Sequence, residues 1–157
     1  SNIPQNVRMR VRKLLQNSDP PTANAGKPVL YQEEKNDTLS YNEDDKIAVF
    51  FFPNNSILPD EKAENVVNEI VKFYSQNPLL LVGHASSLGG NNPKGKKINM
   101  ELSFARAETI KNMLTNKGFP PQNITVLGKG DLEPSVKSNP NNKDSNDRRV
   151  EVFLFSN

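Results

Sequence analysis

The 157 residues carry 20 basic and 18 acidic side chains, for a net charge of +2, and a hydrophobic fraction of 34%, which suits one domain with an appendage and excludes two large ones. The charges are spread along the chain with no Lys/Arg block dense enough for a nucleic-acid footprint, so no nucleic acid is expected as a partner. There is no cysteine, hence no disulfide and no thiolate metal ligand, and neither an oxidising nor a reducing compartment is favoured on that ground.

Val7, Val11, Leu14 and Leu15 give residues 4 to 16 a weak helical stripe, interleaved with Arg8, Arg10, Arg12 and Lys13. The stretch is short and lacks an aromatic anchor, so it reads as a solvated helix rather than a membrane-surface one. Asn17 to Pro28 is rich in turn formers and poor in apolar residues, which makes it a linker. Residues 1–39 are accordingly read as a basic segment plus linker, and 40–157 as the folded domain. The N-terminus shows no apolar signal stretch and no run reaches the length of a membrane span, so membrane contact is expected only through a segment outside this chain.

Ile47 to Phe52 is an apolar run stopped by Pro53-Asn54-Asn55 and predicts a buried strand. Pro59 suits the first turn of a helix whose acidic start (Asp60, Glu61, Glu64) matches the helix dipole. Its inner face would be Ala63, Val66, Val67, Ile70, Val71 and Tyr74, with an end before Pro78. Leu79 to His84 predicts a central strand covered by helices on one face.

The polar Gly/Asn/Lys stretch that follows reads as a loop. Gly90 to Lys97 nearly spells a P-loop, but Pro93 removes a backbone donor and Lys97 stands where a metal-binding hydroxyl is needed, so a nucleotide site is rejected. A helix is predicted from Asn99, as N-cap, to Lys117-Gly118, with Pro120-Pro121 beyond its end. Leu102, Arg106, Ile110 and Leu114 follow at i, i+4 steps beside Thr109 and Met113, which places an arginine on the core-facing side. A guanidinium there needs an anion, either an internal carboxylate or a ligand's.

Ile124 to Leu127 and Arg149 to Phe155 predict two more strands, separated by a Pro/Asn-rich loop. The order strand-helix-strand-helix-strand-strand predicts an α+β two-layer sandwich with a mixed sheet and both helices on one face. Arg148 and Arg149 are neighbours at the last strand, so at most one shares a face with a given pocket. His84 with Ser86 and Ser87 lacks a nucleophile-elbow turn, and a lone histidine without cysteine makes a poor zinc site. No catalytic set, cofactor or metal is expected, and His84 is read as structural.

Five segments in order resemble a known family. They are Val49 to Phe52 with Asn55-Ser56 and Leu58-Pro59; Leu81-Val82-Gly83-His84-Ala85; Asn99 to Ala107 as N-x-x-L-S-x-x-R-A; Gly128-Lys129-Gly130 with Pro134; and Asp147-Arg148-Arg149-Val150-Glu151. From Ile47 to Phe155 the chain is similar to the C-terminal domain of outer-membrane protein A, shared with peptidoglycan-associated lipoproteins and flagellar motor stator proteins. The resemblance implies a β-α-β-α-β-β fold, non-catalytic binding of peptidoglycan and a place in the periplasm or cell envelope of a bacterium.

It further implies that Arg106 grips the carboxylate of diaminopimelate in a stem peptide. Asn99, Ser86, Ala85 and Leu102 would line the pocket, with Arg148 or Arg149 as an outer contact. Backbone N–H groups at the helix start would add donors for the same anion. Ser86 stands where the family carries the aspartate that holds the ligand's ammonium; losing such a charge-assisted bond forgoes about 1.5–3 kcal/mol. Whether Asp131, Glu133 or Asp147 replaces that carboxylate is open at this level. The alternative is a degenerate module that binds envelope, motor or secretion proteins, with Arg106 satisfied by an internal carboxylate. Stator-like relatives imply a homodimer.

Overall fold

The computed structural model describes residues 14–20, 41–87, 92–135 and 143–155. In chain order the elements are β1 (Leu15–Gln16), β2 (Lys46–Phe51), α1 (Ala63–Tyr74), β3 (Leu79–Gly83), α2 (Pro93–Asn116), β4 (Ile124–Gly128), α3 (Lys143–Asp147) and β5 (Arg149–Leu154). The strands form one mixed sheet in the order β1-β2-β5-β3-β4. β5 lies antiparallel between β2 and β3, while β3 and β4 are parallel neighbours. This is the expected α+β architecture, with one strand added at the edge.

The added strand corrects the reading of the N-terminal segment. Leu15 and Gln16 pair in parallel with Ala48 and Val49 rather than ending a helix, so residues from before the linker join the sheet. Asn17 extends the pairing with its side chain: Oδ1 accepts from the Phe51 N–H at 2.7 Å and Nδ2 donates to the Phe51 carbonyl at 2.9 Å. An amide side chain thus does for the end of β2 what a further strand residue would. The rest of the predicted stripe, residues 4–13, lies outside the described residues.

Alternation along the strands separates two faces. Ile47, Phe50, Phe52, Leu79, Leu81, Val150, Val152 and Leu154 pack with Ala63, Val66, Val67, Ile70 and Tyr74 of α1 and with Ala107, Ile110 and Leu114 of α2. α1 starts later than Pro59 because Asp60 Oδ1 accepts from the Lys62 N–H and first forms a local turn. The end of α2 is as predicted, with Gly118 at φ 102 and Phe119 N–H returning to the Leu114 carbonyl at 3.0 Å. Helix α2 lies directly on β3, because a Cβ at Gly83 would sit 1.8 Å from the Ser103 carbonyl oxygen.

The helix-free face holds a small apolar cluster of Leu80, Val82 and Phe153, covered by Tyr41, Leu127 and Phe155. Beside it lies a buried charge network centred on Glu151, which reaches Lys46 Nζ at 3.0 Å, Arg149 Nε at 3.2 Å and His84 Nε2 at 3.2 Å. Burial, and next the Arg149 charge, pull the His84 pKa from 6.5 down to about 4 despite Glu151 beside it. Burial alone would raise the Glu151 carboxyl, but His84, Arg149 and Lys46 outweigh it and hold that group well below the usual carboxylate range.

Two predictions follow from this packing. Gly83→Ala forces the new methyl into the α2 backbone and is expected to cost about 3 kcal/mol or more of unfolding free energy in urea; an unchanged midpoint would refute the close approach. Acid is expected to destabilise the fold, because the unfolded chain protonates its single histidine near pH 6.5 whereas the folded chain resists until about pH 4. The stability held above pH 6.5 should therefore fall by about 3 kcal/mol across that interval. Glu151 adds to the loss only below its ordinary value of 4.5, so the slope above that pH belongs to His84 and should vanish in His84→Gln.

Candidate functional site

Arg106 and Arg148 are among the largest fully buried side chains, at 0% and 1% exposure. The inner face of α2 is divided along its length: Asn99, Ser103 and Arg106 are buried toward its N-terminal half, and Ala107, Ile110 and Leu114 toward its C-terminal half. The polar half meets loops at the ends of β2 and β3, where backbone groups leave the sheet and need partners. Ser103 Oγ accepts from the Gly130 N–H at 2.8 Å, and Arg106 serves three of the carbonyls there.

Arg106 Nε donates to the Ser56 carbonyl at 2.8 Å, Nη1 to the His84 carbonyl at 3.0 Å and Nη2 to the Pro53 carbonyl at 3.4 Å. Its Cζ lies 5.4 Å from the centre of the Phe52 ring. Its partners among the described residues are carbonyls and a ring, not a carboxylate, so a carbonyl cage stands in place of the expected internal ion pair on Arg106. Burial, then the neighbouring Arg148, lower its pKa from 12.5 to about 10, which leaves the group charged at neutral pH. Of the five guanidinium N–H groups three are engaged, and the bond to Pro53 is long enough to be weak.

A cavity of about 250 Å³ opens beside this cage, lined by Asn54, Asn55, Ser86, Ile98, Asn99, Leu102, Arg106 and Arg148. It brings together five of the residues expected from sequence: Arg106, Asn99, Ser86, Leu102 and Arg148. Arg148 Nε donates to the Phe52 carbonyl at 3.0 Å, which fixes the second guanidinium at the same end of β2. Sequence reasoning missed Asn54, Asn55 and Ile98. Asn55 at φ 58 was detectable in principle, because Pro-Asn-Asn after a strand is a turn signal that suits an asparagine in the left-handed region.

The other expectations are corrected. Helix α2 starts at Pro93, with Asn92 as N-cap accepting from the Gly95 N–H at 2.7 Å, so the stretch before Asn99 is helical from Pro93 and Asn99 is not a cap. At about 1.5 Å per residue the helix start lies roughly 20 Å from Arg106, too far to add backbone donors to its anion. Ala85 is buried with its N–H on the Gly130 carbonyl and does not line the cavity. Arg149 faces the opposite side of the sheet toward Glu151, and both arginines are buried rather than surface charges. None of the three candidate replacement carboxylates lines the cavity. Asp131 pairs with Lys96 at 2.7 Å and lies 3.4 Å from Asn99 Nδ2; Glu133 pairs with Lys129 at 3.3 Å; Asp147 accepts from the Ser135 N–H at 2.8 Å.

A second cavity, about 290 Å³, lies on the helix-free face among Tyr41, Lys46, Phe51, Glu133, Arg149 and Glu151. Its charges already neutralise one another, Glu151 with Lys46 and Arg149, and Glu133 with Lys129. Of these two cavities, the smaller is lined by a buried guanidinium, Arg106, whose hydrogen bonds among the described residues go to carbonyls, and it is the candidate site.

Residues 50–148 match the model of the OmpA family. The chain is 40% identical over 62 residues to an outer membrane protein of Gluconacetobacter diazotrophicus, covering 40% of this chain and 16% of that one. It is 30% identical over 106 residues to the peptidoglycan-associated lipoprotein of Buchnera aphidicola subsp. Baizongia pistaciae, covering 66% and 58%. It therefore spans less than two thirds of the length of either relative. The crystal structure of the peptidoglycan-associated lipoprotein from Burkholderia pseudomallei superposes with a TM-score of 0.59 at 16% identity, over 68% of this chain and 89% of that one, a likeness of fold. With the family pattern extending from the second half of β2 to Arg148, at the threshold of β5, the chain belongs to the OmpA family.

Proposed function

We propose that this domain binds peptidoglycan without catalysis, through a carboxylate of the stem peptide taken up beside Arg106, and so anchors an envelope protein or complex to the cell wall. The observation that carries the reading is a fully buried guanidinium whose hydrogen bonds go to carbonyls, next to a cavity of mixed polar and apolar lining. Burying a charge is costly, and partial charges on carbonyl oxygens offset less of that cost than a full anion would. An incoming carboxylate supplies the missing charge. The long bond to the Pro53 carbonyl is the one it would displace, since a charge-assisted bond is roughly twice as strong as a neutral one. Diaminopimelate is the residue that the family resemblance implies as donor of this carboxylate, and the Buchnera relative's name, peptidoglycan-associated lipoprotein, supports peptidoglycan as the polymer bound.

Enclosure of Arg106 adds a condition. With 0% of its surface open, the guanidinium acts on the cavity as a charge in the floor, and direct contact requires the Pro53 to Ser56 turn to shift. Asn54 and Asn55 are exposed on that turn, free of the sheet ladder, which makes it the movable wall.

Co-sedimentation with purified peptidoglycan tests the proposal. Wild type should be retained, and Arg106→Lys, which keeps the charge but loses the fork, should bind at least about tenfold more weakly. A matching circular dichroism melt for the variant separates lost binding from lost fold. Failure of the wild type to sediment with peptidoglycan would overturn the proposal and leave the protein-scaffold reading in its place.

A further inference from the structure

The charge pattern of the Arg106 cavity restricts its ligand further than "a carboxylate". Among the described residues lining it, two carry guanidinium groups and none carries a carboxylate. The other polar groups there are neutral: the Ser86 hydroxyl and the side-chain amides of Asn54, Asn55 and Asn99. Asp131, 3.4 Å from Asn99 Nδ2, is already paired with Lys96. A free amino acid carries an ammonium one carbon from its carboxylate. If the carboxylate is drawn toward Arg106, that ammonium enters the same region, sheds water and finds no carboxylate among the described lining residues. An acylated nitrogen carries no charge, and its N–H needs only a neutral acceptor. Ser86 Oγ and the asparagine Oδ1 atoms supply acceptors of that kind.

Resting on the carboxylate-binding reading above, we propose that the pocket selects carboxylates whose neighbouring nitrogen is acylated over the corresponding free amino-acid zwitterions, with Ser86 as the residue that sets the preference. Two sources present this chemistry: the C-terminal residue of a peptide, and a diaminoacid whose second amine has been closed into a cross-link amide. In both, the carboxylate keeps its full charge while the adjacent nitrogen becomes a neutral donor. The apolar lining from Ile98 and Leu102 suits the carbon chain of either.

Nuclear magnetic resonance titration of the whole chain with four probes tests this: D-alanine, N-acetyl-D-alanine, diaminopimelate and its mono-N-acetyl derivative. Each acetylated probe should bind at least about tenfold more tightly than its parent amine, and whichever acetylated probe binds more tightly identifies the source. Ser86→Asp, which adds the missing carboxylate, should reverse the order. Equal or tighter binding of the free amines by wild type overturns the selectivity, as does the absence of saturable shifts at Ser86, Asn99 and Arg106 with every probe. Sedimentation with peptidoglycan distinguishes the two failures. Retention that depends on Arg106, with free amines preferred, sinks only the selectivity, whereas loss of retention with acetylated probes still preferred sinks the peptidoglycan reading and leaves the selectivity standing.

Discussion

The loop end of this domain depends on one guanidinium that has carbonyls for partners instead of a carboxylate. Arg106 spans the Ser56 and Pro53 carbonyls of the turn after β2 and the His84 carbonyl just past β3. Strand ends that leave a sheet inside a covered region face a shortage of donors, and a planar group with five N–H bonds serves several of them from one side chain. The same arrangement leaves a positive charge that carbonyl dipoles only partly compensate. Structural need and the proposed ligand affinity thus rest on one residue: the cage that holds the loops together is what keeps the cation inside, beside the cavity.

The rest of the architecture serves that placement. Because Gly83 has no Cβ, α2 settles on β3 closely enough for Arg106 to reach past the strand end. Because β5 inserts between β2 and β3, the residue before it, Arg148, arrives beside Arg106 and lowers its pKa. His84 belongs to both charged regions. Its carbonyl faces Arg106, and its ring faces Glu151 on the opposite side of the sheet. The two regions are nonetheless different in kind. Around Glu151, cations and carboxylates are matched within a few ångströms, so that network is a closed ion cluster, whereas the hydrogen bonds of Arg106 among the described residues go to carbonyls.

Much of this was legible in the sequence because it is written in short-range patterns. The apolar runs at 47–52 and 79–84, the stripe of α1 and the Lys117-Gly118 stop are local signals, and they appear where expected. The inward direction of Arg106 followed from i, i+4 spacing alone. What was not legible depends on distant partners. Leu15 and Gln16 form a strand of two residues, too short for any periodicity, and their reason to be extended is an edge of β2 about thirty residues away. Asn99 looked like a cap because the lysine-rich stretch before it carries little apolar content; Asn92-Pro93, a cap followed by proline at the first helical position, was the stronger signal. Burial of both Arg148 and Arg149 could not be foreseen, since one is held by the Phe52 carbonyl and the other by Glu151 and the Glu133 carbonyl.

Size would point to the other cavity, and charge decides against it. A ligand entering among Tyr41, Lys46, Glu133 and Glu151 would have to compete with ion pairs already formed, and each pair broken leaves a buried charge that costs several kcal/mol. A ligand taken up beside Arg106 as proposed would displace hydrogen bonds to neutral carbonyls of the Pro53 to Ser56 turn, and no ion pair. Membership in the OmpA family accounts for the fold that creates this asymmetry. The proposed ligand chemistry rests on the lining, where Ser86 contributes a neutral hydroxyl and none of the described residues contributes a carboxylate.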